Sequence, residues 1–149
     1  MPHIVKTGLS LMLAGSLLGP AAMAAQPGGH AAHTAQAGKP ADAIVTPLMT
    51  KGLPDIPGKE AVMITVDYPP GAADPVHRHD AHSFVYVLEG SIVMQVQGGK
   101  EVTLTPGQTF YEGPHDIHTV GRNASQTEPA RFVVVLIKEK GAPILSPLQ

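Results

Sequence analysis

From residue 44 onward, turn-forming residues recur every few positions, and no window between them keeps a helical period. Pro54, Pro57-Gly58, Pro69-Pro70-Gly71, Gly98-Gly99, Pro106-Gly107 and Gly113-Pro114 each interrupt the chain. The segments between such breaks are too short for an average helix of three turns, but they are long enough for strands. Ala61 to Tyr68 alternates, with Val62, Ile64, Val66 and Tyr68 on one face. Ser83 to Leu88 is apolar on both faces, which predicts a well-buried strand with Phe84 and Tyr86 in the core. Ser91 to Gln97 sets Ile92, Met94 and Val96 against Val93, Gln95 and Gln97, and Gly98-Gly99 predicts a hairpin turn into Glu101 to Leu104. Ile44 to Thr46, Thr109 to Glu112, Ile117 to Val120 and Arg131 to Lys138 supply the remaining strands. The expected class is all-β, a sandwich or barrel of short strands.

One turn-rich lead-in, Pro69-Pro70-Gly71, delivers two histidines separated by a single residue, His77 and His79. On an extended chain alternate side chains share a face, so these two can bind one metal ion through neutral imidazole nitrogens. On a helix the same pairing would need a spacing of three or four. The chain has no cysteine, which removes disulfides, thiolate ligands and cysteine nucleophiles. Its net charge of -2, with no cluster of Lys or Arg, argues against a nucleic-acid partner.

The first residues read as an export signal. Lys6 supplies a positive charge, Leu9 to Leu18 is apolar, Gly19-Pro20 ends that run, and Ala22-Met23-Ala24 has the form of a cleavage site. The apolar run is short for a bilayer span, an uncleaved anchor being the competing reading. Residues 1–24 are therefore expected to be a signal peptide, and the mature chain to be periplasmic or secreted and free of the membrane. Residues 25–43, rich in Ala, Gly, Gln and Pro, read as a flexible linker in which His30 and His33 are solvated. The folded domain is expected over residues 44–149.

Gly71, His77, His79 and Gly90 stand at the spacing of the first cupin motif, which reads Gly, five residues, His-x-His, three or four residues, Glu, six residues, Gly. Gly107 and His118 fit the second motif, with Gly113-Pro114-His115 in place of its Pro-x-Gly and Asn123 one residue late for its Asn. Over Pro69 to Asn123 the chain thus resembles a small single-domain cupin. The resemblance implies a double-stranded β-helix, the jelly-roll barrel of that family, and a divalent metal held by His77, His79 and His118. Iron, manganese, zinc, nickel and copper all suit such ligands. The sequence departs from the family at Ser83, where cupins place Glu. A serine hydroxyl is shorter and neutral, so the implied set is three histidines and water. Three neutral ligands leave the ion's double charge uncompensated, which favours an anionic substrate or a bound hydroxide.

Other residues near these motifs are candidates for the pocket or for positions behind the ligands: Ser83, His82, Glu112 and His115. Strand parity puts His82 opposite the metal-binding pair. Glu112 is a candidate acid or base, with an exposed carboxylate as the alternative. Two function classes follow. One is a metalloenzyme acting on a small organic molecule as a dioxygenase, isomerase or hydrolase. The other is a non-enzymatic module that binds metal or a small ligand outside the cytoplasm. A homodimer is expected, because an open barrel must cover its edges, with Ile44-Val45 and Arg131 to Ile137 as the pairing strands.

Overall fold

The computed structural model describes residues 41–148, and no helix occurs among them. The signal peptide and nearly all of the linker, with His30 and His33, lie outside the described residues. Ten strands run in order: β1 (Ile44–Gly52), β2 (Lys59–Tyr68), β3 (His77–Arg78), β4 (Ala81–Glu89), β5 (Ile92–Val96), β6 (Val102–Leu104), β7 (Thr109–Glu112), β8 (His118–Asn123), β9 (Ala130–Glu139) and β10 (Ser146–Pro147). They form two five-stranded antiparallel sheets, β1-β2-β9-β4-β7 and β10-β3-β8-β5-β6. This is the expected all-β, double-stranded β-helical barrel.

Alternation builds the core. Val62, Ile64, Val66 and Tyr68 of β2 point inward, as do Val85 and Val87 of β4 and Phe132, Val134 and Leu136 of β9. They meet Ile92, Met94 and Leu104 from the other sheet. Each such side chain contributes on the order of 1.5–3 kcal/mol by leaving water. Tyr68 packs edge-on to Phe132 with ring centroids 5.0 Å apart. Gly90 turns the chain between β4 and β5 at φ +68°, and a Cβ there would lie 2.4 Å from the Pro129 carbonyl oxygen. Only glycine satisfies both demands.

Three expectations change. β1 continues past Thr46 to Gly52, because Pro47 sits on an edge strand beside a register shift between Pro47 and Met49, where a missing N–H costs no ladder bond. β4 is not buried on both faces: Phe84 and Tyr86 are each 47 % exposed on the outer surface, since none of the described residues forms a layer over that side of the sheet. β9 is no edge strand, for it is paired with β2 on one side and β4 on the other, so Arg131 to Ile137 cannot pair with a second chain. The end of the presumed linker also touches the barrel, where Ala73 N–H donates to the Ala41 carbonyl at 3.4 Å.

Among the described residues, Lys138 and Glu60 form a buried charged pair. Lys138 is 3 % exposed; its ammonium donates to Glu60 Oε1 at 2.6 Å and to the Ala142 carbonyl at 2.6 Å. Glu60 also accepts from the Gly141 N–H at 3.0 Å. The hydrogen bond from Lys138, and then that from Gly141, hold the Glu60 carboxyl below its ordinary range. A depressed carboxylate stabilises the fold above its unfolded pKa and loses that contribution as pH falls through the folded value. Thermal unfolding followed by circular dichroism should show Glu60→Gln lowering Tm at neutral pH more than Glu101→Gln, whose partner Arg122 is exposed. The Tm difference from wild type should shrink below about pH 4.

Candidate metal centre

Two strand pairs bring the polar residues together inside this apolar barrel. In the β3–β8 pair His77 is the register partner of His118. In the β4–β7 pair Ser83 is the register partner of Glu112. Directly opposed residues in an antiparallel pair project to the same face. His79 lies just past β3, where the chain crosses from one sheet to the other.

Backbone carbonyls set the imidazole tautomers. His77 Nδ1–H donates to the Pro75 carbonyl at 2.8 Å, His79 Nδ1–H to the Ile144 carbonyl at 2.6 Å, and His118 Nε2–H to the Val120 carbonyl at 2.6 Å. A carbonyl only accepts, so each of these nitrogens carries the proton. The opposite nitrogens, His77 Nε2, His79 Nε2 and His118 Nδ1, carry lone pairs, and the three rings bring one ligand nitrogen each within 4.8 Å of one another. His77 Nε2 and His79 Nε2 are 3.2 Å apart. Two lone pairs at that distance repel unless a cation lies between them. It is also close to the roughly 3.3 Å separation of two nitrogens bound tetrahedrally at 2.0–2.1 Å.

Burial tunes the charges in the same direction. It pushes His118 down to about 4, helped by His77, and lowers His79 as well. Both imidazoles are therefore neutral donors at pH 7. Burial, followed by the charges of Asp116 and Asp74, pushes Glu112 up to about 7. The approach of Glu112 Oε2 to His118 Nδ1 at 3.4 Å is thus no ordinary ion pair. Three buried side-chain atoms among the described residues have no hydrogen-bond partner: Ser83 Oγ, Glu112 Oε2 and His118 Nδ1. All three residues line one cavity. A divalent ion fits this set of converging, unpartnered donors.

The cavity holds about 70 Å³, room for roughly five water-sized groups. Ile64, Val85, Met94, Phe132 and Val134 are among the apolar side chains of its wall. Asp74 also lines it and accepts a short hydrogen bond from the Tyr68 hydroxyl. Burial raises the Asp74 carboxyl, while the Tyr68 bond opposes that shift. Sequence reasoning missed this pair: Tyr68 carried only the alternation of β2, and Asp74 sat in a turn with no pattern of its own. Gly121 also had no signal, yet a Cβ there would lie 3.0 Å from His118 Cε1 and 3.1 Å from Asp74 Oδ2.

Ser83 and Glu112 line the pocket, and Glu112 is 2 % exposed rather than solvated. His82 and His115 are not. His82 faces outward from β4, with Nδ1 2.8 Å from the Tyr111 hydroxyl, because its parity is opposite to Ser83. His115 is exposed in the loop between β7 and β8. Asn123 holds the fold instead of the site, its Nδ2 lying 3.1 Å from the carbonyls of Tyr68 and Pro69 and 2.8 Å from that of Glu128. In metal-free protein, long-range proton–nitrogen NMR should find His118 as the Nε2–H tautomer and His77 and His79 as Nδ1–H. The His118 signals should stay those of a neutral ring until pH falls to about 4. Titration of His118 near pH 6.5 would contradict the burial described here.

The sequence matches the cupin domain family over residues 64–136. No functionally curated protein matches it in sequence. Among solved structures, the chain is similar to an uncharacterized protein with a double-stranded β-helix domain from Klebsiella pneumoniae at 18 % identity and a TM-score of 0.58, covering 74 % of this chain and 90 % of that one. It is similar to a cupin domain from Bordetella pertussis at 24 % identity and TM-score 0.53, covering 67 % and 97 %. It is also similar to a DMSP lyase from Ruegeria pomeroyi at 20 % identity and TM-score 0.51, covering 58 % of this chain and spanning only 42 % of the lyase. At these identities the structural likeness speaks to fold alone. Family match, sheet topology and histidine geometry agree, and the chain carries a small domain of the cupin family.

Proposed function

We propose that this domain binds one divalent metal ion through His77 Nε2, His79 Nε2 and His118 Nδ1, and uses it to hold and act on a small organic molecule. The observation that carries the reading is the convergence of three lone pairs whose opposite nitrogens are tied to backbone carbonyls. Such ties orient the rings before the ion arrives and raise ligand basicity. When bound, the ion would supply Lewis-acid polarisation of a ligand oxygen, or redox chemistry if it is iron, manganese or copper.

The protein's own residues define the ligand. The apolar wall suits a hydrocarbon body, and the volume of about 70 Å³ limits its size. An oxygen-bearing, anionic head group would sit at the metal end. Asp74 and the Tyr68 hydroxyl offer a place to hold a proton beside it. The same small cavity suits a non-enzymatic carrier or sensor, which would bind the molecule without turnover. Metal analysis of purified, dialysed protein should give close to one ion per chain, and His79→Ala should lose most of it. Equal metal in both proteins would end the reading. Oxygen uptake and product analysis with small phenolic, thiol and carboxylate compounds then separate the enzyme from the carrier.

The export signal read in residues 1–24 supports a periplasmic or secreted location, with no membrane contact after cleavage. A homodimer is part of the same proposal. β1 is exposed along its length, including Ile44, Val45, Leu48 and Met49, and the outer face of β4 and β7 displays Phe84, Tyr86 and Tyr111. So much exposed apolar surface is characteristic of a face that meets another chain. Protein recovered from the periplasm should begin at Ala25 and give a dimer mass by light scattering. A monomer at micromolar concentration would remove the dimer, and an intact Met1 would remove the cleavage.

A further inference from the structure

We propose that Glu112 is a metal ligand, supplied from β7 across the strand pair to take the place of the carboxylate that Ser83 lacks. The inference rests on the metal reading above and adds a fourth donor to it.

Ser83 and Glu112 are direct partners in the β4–β7 ladder, and both side chains point into the barrel. A carboxylate on either strand of that rung therefore reaches the same space, with Cβ atoms about 5 Å apart. Serine on β4 leaves open the volume that a longer side chain from β7 enters. Glu112 Oε2 stands 3.4 Å from His118 Nδ1 and 3.6 Å from His79 Nε2. With the 3.2 Å between His77 Nε2 and His79 Nε2, these are the separations of donors arranged around one ion rather than of groups bonded to each other.

The orphaned atoms make the same point. Glu112 Oε2 and His118 Nδ1 are buried, face each other, and lack hydrogen-bond partners. No Lys or Arg pairs with Glu112 among the described residues, whereas the other buried acid, Glu60, has Lys138. A buried carboxylate needs a counter-charge, and a divalent ion held by the three histidines supplies it. Ligation by Glu112 cancels one of the ion's two charges. The site then presents a single net positive charge, which suits a ligand that binds through one anionic or neutral oxygen and disfavours a dianion.

The test uses Zn²⁺ alone as the probe, titrated into metal-free full domain against a chromophoric chelator. Four proteins are compared with wild type: Glu112→Gln, Ser83→Ala, His79→Ala, and the cross-strand exchange that combines Ser83→Glu with Glu112→Ser. Glu112→Gln should weaken Zn²⁺ binding by about 100-fold or more, beyond what loss of a residue behind the ligands costs. Ser83→Ala should leave it within about threefold of wild type. The exchange variant should recover to within about tenfold, because either strand presents a carboxylate to the same ion; a residue acting only through a histidine would not be rescued this way. In wild-type protein, infrared difference spectra on adding Zn²⁺ should show one carboxylate gaining coordinated-carboxylate bands, a readout that needs no variant to fold. If Glu112→Gln binds Zn²⁺ within threefold of wild type while His79→Ala does not, or if no carboxylate band changes, the role of Glu112 is overturned and the three-histidine site stands. If wild type itself binds no Zn²⁺, both readings fall together.

Discussion

The register of two short antiparallel ladders governs this domain. β3 against β8 sets His77 opposite His118, and β4 against β7 sets Ser83 opposite Glu112. A slip of one residue in either ladder would turn a whole polar pair out of the barrel and an outward residue in. The apolar rungs prevent that slip. Val85, Val134 and Ile64 lie in register across β4, β9 and β2, and so do Leu136 and Val62 with Ser83. Hydrophobic burial thus fixes the chemistry indirectly, through the alignment it enforces on the neighbouring polar rung.

Within that frame the site is organised by what surrounds the donors. Three backbone carbonyls take the protons of the three imidazoles and leave the lone pairs facing one another. Burial keeps His79 and His118 from relieving that arrangement by protonation at neutral pH. Such an arrangement of facing donors is compatible with a divalent cation between them. Gly121 contributes by having no side chain, since a Cβ would press on both His118 and Asp74.

Much of the architecture was legible in the sequence. Alternation in β2 and the Gly-Gly turn after β5 are local patterns, and both appear where expected. The extent of β1 was not legible, because Pro47 ends a strand only where its N–H would be needed, and an edge position removes that need. The exposure of Phe84 and Tyr86 was not legible either. Composition cannot say whether a second layer covers the outer face of a sheet, and here none of the described residues does.

The sequence by itself determined that His77 and His79 share a direction, because one intervening residue on an extended chain allows nothing else. It also determined the strand class, since closely spaced breaks exclude helices. Only the tertiary structure decided which residues meet that pair. Glu112 stands thirty-three positions after His79 (112 − 79 = 33), and its approach depends on how β7 aligns with β4. The carbonyls of Pro75, Val120 and Ile144 carry no side-chain identity at all. Side-chain direction is a local property of the chain, whereas register and burial are settled by contacts between segments far apart in it.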